Sequence, residues 1–178
     1  FGFLPLSEGD YLSLMASDPK KYHFPKGMDA KVLFQLSEGN PGITLEVCDE
    51  KGEAEPQSAM DFWNILTHDA MPFATLSAME LGERKAFLRR LRWIRLVGRD
   101  IMVIAETGDA SLSRCGPVAG REASLASFWD RGRGEEAMGV LQTAETAVSR
   151  YINSKNVWDY ILISLEHIQK GSQKWSRS

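Results

Sequence analysis

The stretch SAMELGERKAFLRRLRWIRLVGRDIMVIAE, residues 77–106, decides the fold that the sequence predicts. Its first part is amphipathic with the period of a helix, and Ser77 opens it with a capping pattern, so we predict a helix over 77–96. Its last part contains the continuous apolar run 101–105, which indicates a strand buried on both faces at 100–106. A long helix followed by a strand predicts a mixed fold.

The predicted helix has an apolar side and a basic side. At about 100° per residue, Phe87, Leu91 and Ile94 lie in one sector, which we expect to face the core. The other side carries the candidate residues for binding an anion or nucleic acid, which are Lys85, Arg89, Arg92, Arg95, Arg99 and, beside them, Trp93. Like charges at these spacings destabilise an isolated helix, so the basic side is expected to meet a partner.

Charge is distributed unevenly along the chain. Residues 84–99 hold seven basic residues and no acidic ones, within a net charge of −3 for all 178 residues. The other 162 residues therefore carry 14 basic and 24 acidic side chains, a balance of −10. Such asymmetry steers charged partners, and it also offers the basic helix a partner within the same chain.

Several partners suit an exposed basic helix. Nucleic acid is our first expectation, because neutralised phosphates release counterions and so add affinity. An acidic protein surface is an alternative, and an anionic membrane surface is a less favoured one. Ion pairs with acidic residues elsewhere in the chain are the competing interpretation, and they would cancel the basic surface.

Two further strands complete the predicted sheet. Apolar residues alternate over 31–36 and again over 43–48, and the sequence between them, 37–42, is rich in turn-forming residues. A capping pattern at Ser58 predicts a helix over 58–68. We therefore predict an α+β fold with a small, mainly antiparallel sheet packed against the helices.

Helices are also predicted at both ends of the chain. Ser7 caps a short helix over about 8–16. Two amphipathic segments within 135–170 predict a C-terminal antiparallel helical hairpin, which is an alternative site for protein interaction or homo-oligomer formation. We expect a single domain over 1–178, with the weakly patterned loop 107–124 as the only candidate boundary.

A second, weaker anion site is suggested by four residues ahead of the first C-terminal helix, which are Arg131, Gly132, Arg133 and Gly134. Glycines let the backbone approach an anion, and a helix N-terminus supplies free amides. However, Glu135 and Glu136 follow directly and would repel a phosphate, and the spacing matches no phosphate-binding motif.

The sequence contains no recognisable catalytic or metal-binding pattern. The histidines, His23, His68 and His167, have no metal-ligand spacing, and Cys48 and Cys115 are too far apart to indicate a zinc site. We expect reduced thiols, a cytoplasmic location, no cofactor and a non-enzymatic binding protein. An enzyme whose site is assembled across the fold stays open as an alternative.

Overall fold

The computed structural model describes residues 5–22, 30–47, 55–115 and 120–171. Within these ranges the chain forms helices and no strand. In chain order the α-helices are α1 Glu8–Ser17, α2 Ala30–Ser37, α3 Pro41–Val47, α4 Glu55–His68, α5 Pro72–Ser77, α6 Arg84–Thr107, α7 Ala123–Ala126, α8 Arg131–Ser149 and α9 Ser154–Gly171. A short 3-10 helix at Ala110–Leu112 follows α6.

The long helix α6 lies at the centre and packs against α4, α8, α7 and α2. Helix α9 covers α8 and α5, while α1 and α3 both pack on α2. One hydrophobic cluster contains side chains from α1 through α9. Its largest members are four fully buried tryptophans, Trp63, Trp93, Trp129 and Trp158.

Two of the indole groups link neighbouring helices through hydrogen bonds. Trp63 on α4 donates its Nε1–H to the Ile94 carbonyl of α6 at 2.7 Å. Trp158 on α9 donates to the Leu76 carbonyl of α5 at 2.9 Å. A buried indole N–H needs such an acceptor, so each bond fixes the packing of two helices as well as a ring.

The predicted α+β fold is wrong, because all three predicted strands fall in helices. Residues 31–36 belong to α2, and 43–47 belong to α3, while Cys48 lies outside the described residues. In α2 the buried residues include Val32, Leu33 and Leu36, which is the spacing of a helix face and not of a strand. The sheet with which the helices were expected to pack is replaced by helix-on-helix packing.

Residues 37–42 connect α2 to α3 and also begin α3. The Asn40 Oδ1 atom accepts hydrogen bonds from the backbone N–H groups of Gly42 at 2.9 Å and Ile43 at 3.4 Å. Asn40 is therefore an N-cap, and Pro41 occupies the first helical position, where its missing N–H has no consequence. The same Asn-Pro-Gly sequence that indicates a turn also starts a helix.

The predicted helix over 77–96 and strand over 100–106 are parts of α5 and α6. Ser77 ends α5 instead of capping the long helix, which begins at Arg84 and continues to Thr107. In the apolar run that suggested a strand, Ile101 and Ile104 are buried and Ala105 is exposed. Gly108 then ends α6 in the left-handed conformation, with a φ of 70°.

Candidate functional site

The basic residues of α6 do not form one exposed stripe. Lys85 is exposed near the start of the helix, whereas Trp93, expected beside the basic residues at the surface, is fully buried. The remaining candidates divide between two sides of α6. Arg89 lies toward α4, and Arg92, Arg95 and Arg99 lie toward α2 and α8.

On the α4 side, two arginines flank one buried carboxylate. Glu55, at the start of α4, has only 8% of its surface exposed. Its Oε1 atom lies 3.6 Å from Nε of Arg89, and its Oε2 atom lies 3.8 Å from Nε of Arg90. The internal pairing that competed with an external partner therefore occurs here.

On the other side of α6, a groove opens between α2, α6 and α8. It has a volume of about 520 Å³, within the usual range for small-molecule sites. Apolar side chains from all three helices form much of its wall, and they are Phe34, Leu36, Leu96 and Met138. Three arginines of α6 line the same groove at spacings of three and four, and they are Arg92, Arg95 and Arg99. The groove thus combines positive charge with an apolar surface.

The three arginines differ in how many hydrogen bonds and ion pairs they make with other side chains. Arg95 pairs with Glu145 through Nε at 2.7 Å and with Glu38 through Nη2 at 3.0 Å. Arg99 donates from Nη1 to the neutral amide oxygen of Gln35 at 2.7 Å. Arg92 makes no hydrogen bond or ion pair with the residues that the structure describes, although its charge acts on Glu145.

Burial changes the acid–base properties of this region. It raises the pKa of Glu145, an effect that the charges of Arg95 and Arg92 oppose. It also lowers the pKa of Arg99, and the nearby positive charge of Arg114 acts in the same direction. Because desolvation disfavours the charged form of a group, an anion bound in the groove would relieve the cost of keeping Arg99 charged.

The weaker candidate site at residues 131–134 lies in the first turn of α8. Asp130 already caps this helix, because its Oδ1 atom accepts the Arg133 backbone N–H at 2.9 Å. Arg131 is paired with Glu135 at 2.9 Å and lies 3.6 Å from Glu106. Gly134 is buried, and a Cβ there would lie 2.3 Å from Sδ of Met102. The glycine therefore allows α8 to pack closely on α6.

A second polar cluster, which the sequence did not reveal, is buried beside α6. The carboxylates of Asp100 and Glu122 and the thiol of Cys115 each offer an atom within 4.8 Å of the others. These residues come from α6, from the segment after the 3-10 helix and from the position before α7. Their separations along the chain match no metal-ligand motif, so only the fold brings them together.

Burial raises the pKa of all three side chains in the cluster. Burial raises the pKa of Asp100 against the effect of two backbone hydrogen bonds, and it raises that of Cys115 together with the neighbouring carboxylates. Burial also raises the pKa of Glu122 to about 7. The nearby Ser113 hydroxyl opposes this last shift, although neither carboxylate oxygen of Glu122 lies in hydrogen-bonding geometry with a described residue.

Neither of the two histidines that the structure describes belongs to a potential metal-binding group. His68 is exposed at the end of α4 and contacts the ring of Phe128, with the ring centroids 4.8 Å apart. His167 is exposed on α9, and His23 lies outside the described residues.

Comparison with known proteins finds no matching family model, no matching curated protein and no matching solved structure. What the protein binds therefore has to be inferred from its own side chains. None of the helices in the four described ranges combines the length and apolar character that crossing a bilayer requires.

Proposed function

We propose that the protein is a non-enzymatic binding protein whose groove between α2, α6 and α8 takes a compact ligand with an anionic group and an apolar body. The observation that carries the proposal is the presence of Arg92, Arg95 and Arg99 in one groove with an apolar wall. Sites of this kind bury an apolar ligand body and fix its orientation with a few polar groups.

The pairing of the arginines supports specific roles. Arg95 is held by two carboxylates, so we assign it to the structure of the groove. Arg92 and Arg99 form no ion pair within 4 Å among the described residues, and the hydrogen bond of Arg99 goes to the neutral amide of Gln35. We therefore expect the ligand's anionic group to bind Arg92 first, with Arg99 exchanging Gln35 for the ligand. A hydrogen bond to a charged group contributes about 1.5–3 kcal/mol.

The chemistry of the groove favours a compact ligand over a nucleic-acid strand. A strand that follows α6 would need Lys85, Arg89 and Arg92 together at the surface, yet Arg89 lies beside buried Glu55. Binding of nucleic acid stays a prediction, as does association through the C-terminal hairpin, where Tyr160 and Ile163 are exposed. A cytoplasmic location is part of the proposal, and the free thiol of Cys115 is consistent with it.

The test uses a fluorescent probe with the proposed chemistry, anilinonaphthalene sulfonate, and its uncharged analogue N-phenylnaphthylamine. We expect saturable binding of one sulfonate probe per chain. Arg92→Gln should weaken binding of the sulfonate probe by about tenfold or more and leave the uncharged analogue unaffected. Arg150→Gln is the matched control, because it removes one exposed arginine outside the groove.

Equal losses in both variants would contradict the proposal, because they would show that only net charge matters. A labelled single-stranded oligonucleotide provides the second arm. Tight, strongly salt-dependent binding that Lys85→Glu and Arg92→Glu abolish, without displacement by the sulfonate probe, would favour nucleic acid instead.

A further inference from the structure

The cluster of Asp100, Cys115 and Glu122 presents three metal-ligand side chains away from solvent. Cys115 and Glu122 have no exposed surface, and Asp100 has 1%. One ligand atom from each lies within 4.8 Å of those of the other two. Burying these side chains as ions is costly unless a partner compensates their charge, and a bound cation would do so.

Unpartnered oxygens are the second, independent observation. Neither oxygen of Glu122 has a hydrogen-bond partner among the described residues, although the side chain is fully buried. The Oδ2 atom of Asp100 accepts the backbone N–H groups of Arg114 and Cys115 at 2.6 and 2.9 Å, which leaves Oδ1 without a partner. Native proteins leave few buried polar atoms unsatisfied, so these oxygens in one cluster indicate a group that binds there.

A proton shared between the carboxyl groups explains these oxygens less well than a metal ion does. A proton shared between Asp100 and Glu122 would join one oxygen of each side chain, and the second oxygen of Glu122 would still have no partner among the described residues. A cation instead accepts electron pairs from all three side chains at once.

The charges also fit a divalent ion. When deprotonated, the two carboxylates and the thiolate carry three negative charges, which a divalent ion reduces to one. Arg99, whose charge acts on both Asp100 and Cys115, balances the remainder. Binding would release the thiol and carboxyl protons to solvent.

The donor set selects the kind of metal. A thiolate with two carboxylates suits Zn²⁺ and disfavours Mg²⁺ and Ca²⁺, which take oxygen ligands. Zinc binds sulfur at about 2.3 Å and carboxylate oxygen at about 2.0–2.2 Å, so the three side chains would close inward by roughly 1 Å. Three protein ligands leave the fourth tetrahedral position for a water molecule.

We infer that Asp100, Cys115 and Glu122 form a three-ligand zinc site that links residues of the segment between α6 and α7 to α6. In the described part of this segment, the only regular element is the 3-10 helix Ala110–Leu112. A metal ion would hold Cys115 and Glu122 against the long helix, in addition to the two backbone hydrogen bonds that Asp100 accepts.

The test measures metal binding directly on the full chain after treatment with EDTA. When Zn²⁺ is added back to the EDTA-treated protein, we expect mass spectrometry to show one Zn²⁺ per chain. We also expect that Co²⁺, used as a spectroscopic probe, gives a thiolate-to-metal charge-transfer band with the strong visible absorption of tetrahedral cobalt. Zn²⁺ should raise the melting temperature of the wild-type protein, because a ligand that binds only the folded state stabilises it.

Variants identify the ligands. Cys115→Ser should abolish the charge-transfer band, and Cys48→Ser, the matched control, should retain it. Glu122→Gln keeps the shape of the side chain and should weaken Zn²⁺ binding by at least about tenfold. That is the smallest loss typical of residues that only hydrogen-bond to a metal ligand, and a direct ligand should cost at least as much. Glu136→Gln, which removes an exposed carboxylate, should leave it unchanged.

Several results would overturn the inference. One is a wild-type protein that binds no zinc and whose melting temperature does not respond to Zn²⁺. Another is a charge-transfer band that depends on Cys48 instead of Cys115. If Cys115→Ser does not fold, Glu122→Gln decides: a melting temperature that rises with Zn²⁺ as much as in the wild type contradicts the site. None of these outcomes depends on binding in the groove.

Discussion

Replacing Gly98 by alanine tests how closely α4 and α6 pack at the centre of the fold. Gly98 is buried on α6, and a Cβ there would lie 2.3 Å from Cζ2 and 2.8 Å from Cε2 of Trp63. It would also lie 2.8 Å from Cε of Met138, which can move aside more easily because the side chain is flexible. Carbon atoms normally approach to about 3.5–4.0 Å, so the indole ring or the helix axis must shift by about 1 Å.

The indole ring has little freedom to make that shift. Its Nε1 atom donates to the Ile94 carbonyl at 2.7 Å, and its ring packs edge-on against Trp129 with the centroids 5.0 Å apart. Overpacking costs about 1–3 kcal/mol, and losing the indole hydrogen bond costs a further 1–3 kcal/mol or so. Alanine recovers about 1 kcal/mol through its higher helix propensity. We therefore expect Gly98→Ala to lower the free energy of unfolding by about 1–5 kcal/mol, with about 3 kcal/mol at the centre of the range.

Urea unfolding followed by tryptophan fluorescence and circular dichroism measures this loss as a lower midpoint at an unchanged slope. Gly139→Ala is the matched control, since Gly139 lies on the exposed side of α8 and its Cβ would meet nothing within 4 Å. That variant should gain about 0.5–1 kcal/mol. If Gly98→Ala also gains stability, α4 and α6 do not approach each other at this glycine, and the packing argument fails.

Two further predictions concern charged residues that hold the helices. Glu55→Gln should lower the free energy of unfolding by about 1–2 kcal/mol, which is less than for a fully buried pair because the ion pairs are long. The exposed control, Glu136→Gln, should change the free energy of unfolding little. Equal effects of the two variants in urea unfolding would contradict the role of Glu55. Asp130→Ala should cost about 1 kcal/mol at neutral pH through loss of the α8 cap. The bonds from Arg133 lower the pKa of Asp130 below 3.8, so the stability that Asp130 contributes is present above that pH and is lost as the pH falls through its folded-state pKa. The free energies of unfolding of the wild type and Asp130→Ala should therefore converge in acid. A difference that stays constant with pH would refute the assignment.

Local signals were sufficient where a helix carries its own cap and period. The predicted helix over 8–16 agrees with α1, where the Ser7 Oγ atom accepts the Asp10 backbone N–H at 3.3 Å. The C-terminal hairpin is also present as α8 and α9, joined by residues 150–153 and packed on one another. The segments that form α8 and α9 repeat their apolar residues with the helical period over several turns, so the period of a strand does not fit them.

Local signals failed for α2 and α3 because short apolar segments satisfy two periods at once. Val32, Phe34 and Leu36 alternate as in a strand, but Leu33 is also apolar and is fully buried, which a strand with one wet face would not allow. Segments of eight residues or fewer are stabilised mainly by what they pack against, and here α2 packs on α1, α3 and α6. The contact with α6 involves residues far apart in the chain, and no local pattern reveals it.

For the candidate site, the sequence located the arginines but not their partners. The helix wheel placed Phe87, Leu91 and Ile94 in the core, and all three are buried. The acidic remainder of the chain made internal pairing a real alternative, yet nothing local indicated that Glu55 and Glu145 would supply the partners, since they arrive on α4 and α8. The buried cluster was missed for the same reason.

The distribution of acidic partners explains why Arg92 is the residue on which the binding proposal depends. Glu55 lies beside the arginines on the α4 side of α6, and Glu145 with Glu38 occupies Arg95. An external anion would have to displace those carboxylates before it could use these cations. Arg92 faces the same groove without an ion pair among the described residues, although its charge acts on Glu145, so an anion that binds there need not break an ion pair. Acidic residues of the −10 remainder therefore pair with part of the basic helix and leave Arg92 without an ion pair in the groove.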